Sequence, residues 1–322
     1  MPVKNRTLYE SMESNLGSQI DITNTKSRKS QHNSSWNVWP QVSYYLRVLK
    51  PRETVLLTLI GASTAIVASN ASPDLWRLLV VTLVVALGSG GTNGLTNYLD
   101  RHVDARMNRT RGRVLPSRLI DPPQKALAWC ALLVICSLAV SLYLHPYAFF
   151  AALIGVLFAL IGRKTWVTHF MGSFSSCGPV LVGWFSMNPS VNWTIVLMAV
   201  VIVLWLPIHV WNLMIASRDD YIQAGVDIFP LNHGVLITAR ISVFLSVLLY
   251  LASLSLYILG GFGWIYLVAA NVGGLSMIWA TLQILQNRDK VSAYRVFKTS
   301  AYPYLGLIFV SLPLDVWIAR VL

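Results

Sequence analysis

Two textures divide the chain. Over residues 1 to about 42, Ser, Asn, Thr and Lys are abundant, apolar residues are scattered and no helical period persists, which predicts a polar, disordered N-terminal tail. From about residue 53 onward the pattern inverts, and apolar runs of membrane-crossing length recur with short breaks between them. The runs fall at 53–70, 75–97, 125–144, 146–162, 167–187, 191–215, 236–258, 262–286 and 299–320. They predict an all-α integral membrane protein with about nine transmembrane helices, organised as a tail (1–42) followed by one transmembrane domain (43–322). His145-Pro146 is the tightest break, and Pro207 inside the sixth run is expected to bend that helix and open a cavity.

Composition agrees with that reading and excludes an ordinary soluble globule. Of 322 residues, 55% are hydrophobic and 12% charged, against roughly 25% charged in soluble domains. The mean hydropathy is +0.57. The 25 Lys and Arg against 13 Asp and Glu give a net charge of +12, which would ordinarily suggest nucleic acid, but no nucleic-acid module is recognisable. Topology explains the excess better. Of the 25 basic residues, 23 precede the first run or lie in even-numbered connections, leaving Arg77 and Arg320 opposite. The positive-inside rule then puts the N-terminus in the cytoplasm of a prokaryotic plasma membrane, or in the matrix if the membrane is the mitochondrial inner one. No apolar run precedes a small-residue cleavage site in the tail, which argues against a secretory signal peptide. Cys130, Cys136 and Cys177 sit in apolar stretches without metal-ligand spacing and read as packing residues.

The scarce acids carry more information than the abundant bases. In NGLTNYLDRHVDARMNRTRGRVLPSR, residues 93–118, the second apolar run continues as a helix into the inner interface. There Asp100 and Asp104 share one face, with Asn97 a turn earlier. Two carboxylates so placed repel each other, and a Mg²⁺ ion shared with a phosphate removes that penalty. Arg109, Arg111 and Arg113 follow with guanidinium forks for phosphate oxygens, although such arginines also serve as plain topology determinants in a solvated loop. A second acidic cluster, Asp219-Asp220, lies after the sixth run between Arg218 and Tyr221. Adjacent side chains point about 100° apart on a helix, so both can reach one ion only if the helix ends there, as Gly225 and Pro230 suggest. Two clusters on separate helices could clamp a Mg²⁺-bound diphosphate between them. His209, between Trp205 and Trp211, is either a structural hydrogen-bond donor or a substrate contact.

These residues resemble the UbiA superfamily of intramembrane prenyltransferases, and within it the branch that acts on heme. Asp100, Asp104, Arg109, Thr110, Arg113 and Leu115 match the family's first signature, and Lys50-Pro51-Arg52 looks like its entrance to the first helix. Trp205, Pro207, His209 and Trp211 are similar to a stretch of the heme branch, and Asp220, Tyr221, Ala224, Gly225 and Pro230 match a later one. Arg163-Lys164-Thr165 and the segment from Gly178-Pro179 to Gly183-Trp184 look like the middle region. The resemblance implies a UbiA-like helical bundle that moves a farnesyl group from farnesyl diphosphate to the vinyl group of heme b, giving heme O. It implies Mg²⁺ held by Asn97, Asp100, Asp104, Asp219 and Asp220, with Asp100, Asp104 and Asp220 essential to catalysis. Diphosphate would fall to Arg52, Arg109, Arg113, Lys164 and Arg218, and substrate contacts to His209 and Tyr221. Implied partners are the two substrates, the lipid bilayer, and a heme A synthase or heme–copper oxidase assembly proteins, with no nucleic acid. The alternatives are prenyl transfer to a quinone or other aromatic precursor, a noncatalytic heme-handling protein, or a transporter that couples ions through its intramembrane acids.

Overall fold

The computed structural model describes residues 39–161, 168–226 and 229–321. Most of the predicted tail therefore lies outside the described residues, as does Lys164. Tyr44–Leu322 forms one compact unit. Among the described residues there is helix and no strand.

The helices are α1 (Trp39–Arg47), α2 (Pro51–Ala68), α3 (Leu75–Asp104), α4 (Gln124–Leu144), α5 (Pro146–Leu160), α6 (Thr168–Ser176) and α7 (Gly178–Phe185). They continue as α8 (Trp193–Ala216), α9 (Arg218–Gln223), α10 (Val235–Gly260), α11 (Trp264–Asn287), α12 (Lys290–Thr299) and α13 (Leu307–Val321). A π-helical turn, Ser300–Gly306, joins the last two.

Six described helical stretches are long and apolar enough to cross a membrane: α3, α4, α8, α10, α11 and the joined stretch Lys290–Val321. The chain is an integral membrane protein. The expected count of about nine is not reached on that measure, and each shortfall has a cause. Helix α2 is 18 residues long but opens with Arg52 and Glu53. Helix α5 has 15 residues, about 22 Å of rise against a hydrocarbon core of about 30 Å. The run at 167–187 is broken into α6 and α7 at Cys177. Cys130 and Cys177 are buried as packing residues, whereas Cys136 is exposed.

Local signals set the boundaries. Asp74 caps α3 by accepting from the Arg77 amide at 2.7 Å, and Asn192 caps α8 by accepting from Ile195 at 3.2 Å. His145 breaks α4 from α5 in extended backbone, and its Nδ1 accepts from the Tyr147 amide at 3.1 Å. Helix α8 runs through Pro207 without a break.

Within Tyr44–Leu322 the contacts close on themselves. Helices α2, α3, α4, α5, the α6–α7 pair, α8, α10, α11 and α13 touch in that order, and α13 returns to α2. Helix α7 also crosses α2 closely at Gly61 and Gly183, where a Cβ on Gly183 would strike the Gly61 backbone. The polar connections meet at one end. The Arg109 amide donates to Asp220 Oδ2 at 2.8 Å, and Lys290 Nζ pairs with Asp219 Oδ2 at 2.5 Å. The other end is tied by Arg77, whose guanidinium donates to the Ser186 and Leu144 carbonyls.

Candidate active site

Helix α3 extends seven residues beyond the predicted end of its apolar run, so it carries Asn97, Asp100 and Asp104 on one buried face. Asp100 is 7% and Asp104 2% exposed, in a chain that reads as membrane-embedded, where buried acids are costly and mark function. Arg113 Nη1 reaches Asp104 Oδ2 at 2.9 Å. The loop carrying that arginine is anchored by buried Thr110, whose hydroxyl donates to the Asp104 carbonyl at 2.9 Å. The Asn97 amide nitrogen donates to the Val48 carbonyl at 2.7 Å, joining α3 to the turn before α2.

Both acids line a cavity of about 820 Å³ enclosed by the ring of helices. Its polar mouth includes Lys50, Arg52, Arg109 and Arg113, and its body is mainly apolar, walled by residues such as Leu57, Val85, Val134 and Pro179. A smaller cavity of about 330 Å³ adjoins it, sharing Lys50, Asp104, Arg109 and Arg113 and adding Arg47 and Asn97. One chamber thus combines a carboxylate pair, several cations and a long apolar space. That combination suits an amphiphile with an anionic head and a hydrocarbon tail.

The second acidic cluster divides. Helix α8 ends at Ala216, Ser217 leaves helical geometry, and α9 restarts for six residues. Asp219 and Asp220 therefore sit on a helix rather than at its frayed end, and they diverge. Asp220 turns to the Arg109 amide and ties α9 to the arginine loop. Asp219 is exposed, and its hydrogen bond and charge interaction with Lys290 hold its carboxyl below the usual range. Neither lines either of these two cavities. Arg218 donates to the Leu231 carbonyl at 3.3 and 3.0 Å and does not line the cavity. Tyr221, buried beside Met107, Met214 and Leu231, does line it. Among the described residues no group of three or more His, Cys, Asp or Glu side chains is gathered for a metal ion.

His209 lines the cavity from α8, with Trp205 stacked at 4.7 Å and Phe297 at 4.4 Å between ring centroids. Lys298 and Tyr294, one helix away on α12, line it too. Sequence reading counted Lys298 as a topology charge. Its spacing from Tyr294, one turn away with the ammonium 4.8 Å from the ring centroid, was the available sign of a fixed position. His169 on α6 also reaches the wall, and its Nδ1 accepts from Trp211 Nε1 at 2.9 Å.

Known proteins share both the sequence and the fold. A protoheme IX farnesyltransferase from Desulforudis audaxviator is 32% identical over 281 residues, covering 85% of this chain and 88% of the relative. One from Gloeobacter violaceus is 32% identical over 84% of this chain and 91% of the relative. A solved digeranylgeranylglyceryl phosphate synthase superposes with a TM-score of 0.70 at 22% identity, over 85% of this chain and 98% of that one. A UbiA homolog from Archaeoglobus fulgidus, solved with GPP and Mg²⁺ bound, superposes with a TM-score of 0.60 at 13% identity, over 84% and 99%. Residues 54–310 match the model of the UbiA prenyltransferase family, and with relatives at 32% identity over most of the chain this protein belongs to that family.

Proposed function

We propose that the protein transfers the farnesyl group of farnesyl diphosphate to the vinyl group of heme b, giving heme O. The observation that carries this reading is the similarity, at 32% identity and over 85% of the chain, to a curated protoheme IX farnesyltransferase. The unit Tyr44–Leu322 would hold the whole activity, with its polar mouth on the cytoplasmic or matrix side and nine crossings once α2, α5 and the α6–α7 pair are counted.

The residues present fit a Mg²⁺ ion. Mg²⁺ in phosphate chemistry takes one or two carboxylates and fills its remaining positions with phosphate oxygens and water, so a three-residue cage is not required. Asp100 and Asp104 would hold it, with Asn97 close by. When bound, the ion neutralises charge on the departing diphosphate. Arg109 and Arg113 hold the same oxygens through charge-assisted hydrogen bonds, and Arg52 and Lys298 supply further cations. Asp220 acts one step back by fixing the Arg109 backbone. Asp219 and Arg218 have no part in this scheme.

As the C1–O bond of farnesyl diphosphate breaks, positive charge develops on the allylic carbon while the arginines stabilise the leaving anion. The apolar walls keep water from that carbon until the vinyl carbon of heme attacks it. The cation formed on the porphyrin side takes up water, which loses a proton, and a hydroxyethylfarnesyl group results. Tyr221 and His209 would shape the acceptor's end of the chamber.

The test is a comparison of acceptors with the purified full chain, Mg²⁺ and farnesyl diphosphate. Heme b should be prenylated, and 4-hydroxybenzoate should not. Prenylation of the quinone precursor in preference to heme would replace this reading with its sibling.

A further inference from the structure

His209 is held by a clamp that the reaction scheme leaves unused. Ser300 is fully buried, and its Oγ lies 2.8 Å from His209 Nδ1. The same hydroxyl donates to the Phe297 carbonyl at 2.9 Å. With the serine proton on the Phe297 carbonyl, which can only accept, Oγ faces His209 as an acceptor. In that arrangement Nδ1 carries the imidazole proton and Nε2 of the neutral ring keeps the lone pair.

The rest of the ring is also fixed. Trp205 and Phe297 lie within 4.7 Å of the imidazole centroid and within 33° of parallel to it. Two rings that close and that parallel would overlap on a single face, so they flank it. His209 lines the cavity, and with both faces flanked and Nδ1 beside Ser300 the ring edge left to meet a ligand is the one that includes Nε2. Trp205 is held in turn, because its indole N–H donates to the Ser300 carbonyl at 2.5 Å. The helix breaks its regular geometry immediately after that carbonyl, at Ala301 (φ −76°, ψ −117°).

We propose that Ser300 is a positioning residue: it fixes His209 as the Nδ1–H tautomer and so presents the Nε2 lone pair to the iron of the porphyrin acceptor. The proposal rests on heme being that acceptor. An imidazole whose other nitrogen is hydrogen-bonded is the usual form of a protein ligand to a metal, and loss of the orienting partner typically costs about 10–100-fold in affinity or activity. Ligation at this point would hold the macrocycle in the chamber that Asp100 and Asp104 also line.

Binding and chemistry separate in the test. Full-length protein in lipid nanodiscs is titrated with heme b, without farnesyl diphosphate, and the iron–histidine band of the ferrous complex is read by resonance Raman. The wild type should show the band and His209→Ala should lose it. Ser300→Ala should weaken heme binding about 10-fold or more and shift the band, while Ser300→Thr, which keeps the hydroxyl, should restore both. If Ser300→Ala does not fold, Ser300→Cys keeps the volume with a weaker acceptor and should shift the band in the same sense. A band that survives in His209→Ala, or is unchanged in folded variants lacking the Ser300 hydroxyl, overturns the proposal. Failure of the acceptor reading looks different: the wild type would bind heme with a His209-dependent band and yet transfer no farnesyl group to it.

Discussion

Asp100 and Asp104 sit buried one turn apart, where a membrane helix carries carboxylates at a cost. Asp100→Asn and Asp104→Asn should each lower turnover by about 100-fold or more, as expected for charge stabilisation lost at a departing group, with melting temperatures close to wild type. Product formation and thermal unfolding of the same preparations check both halves. Asp219→Asn should leave turnover within about twofold, because that carboxylate pairs with Lys290 in solvent. Its lowered pKa fixes the sign of a pH effect. The favourable interaction is present above the unfolded carboxylate value, roughly pH 4, and is lost as pH falls through the folded one, so wild type and Asp219→Asn should converge in stability only in acid. Spacing alone made Asp100 and Asp104 legible, since i and i+4 share a helix face whatever the tertiary fold. The fates of Asp219 and Asp220 depended on a helix restarting at Arg218, which no periodicity announces in six residues. Ser300 was illegible for another reason: its contact with His209 spans 91 residues of chain.

Helices α2, α5 and the α6–α7 pair depart from simple apolar rods, and each departure serves the chamber. Helix α2 begins with Arg52 and Glu53 because its first turn forms part of the polar mouth. The break at Cys177 lets α7 cross α2 through Gly61 and Gly183. Gly183→Val should therefore lower the unfolding temperature by pushing the two backbones apart, and Gly225→Ala would not report on this crossing, since its environment is open. A second test of element packing lies at the other end of the bundle. Asp315 of α13, 4% exposed, accepts from the Gly263 and Tyr266 amides and so caps α11 from a neighbouring helix. Asp315→Ala should cost about 1–3 kcal/mol, the penalty of leaving buried donors unmatched, with little change in the kcat of the protein that remains folded. Denaturant titration paired with a turnover assay separates the two effects.

At the scale of the whole molecule, the apolar runs reported the class of fold and the positions of the long apolar helices, because membrane thickness constrains helix length directly, whereas the short polar helices α1, α9 and α12 fall outside them. Closure of the ring, from α13 back to α2, is a long-range contact that no local pattern encodes. That closure turns separate motifs on α3, α8 and α12 into one chamber with a charged mouth and an apolar body. Family membership is shown by the match over residues 54–310, and the acceptor is the step that needs experiment. The most direct measurement is the mass of the product made by the full chain in nanodiscs from heme b, farnesyl diphosphate and Mg²⁺ in ¹⁸O-water. The account predicts heme enlarged by one farnesyl group and one hydroxyl bearing the heavy oxygen. Unmodified heme beside consumed farnesyl diphosphate, or a farnesylated heme without the labelled hydroxyl, would contradict it.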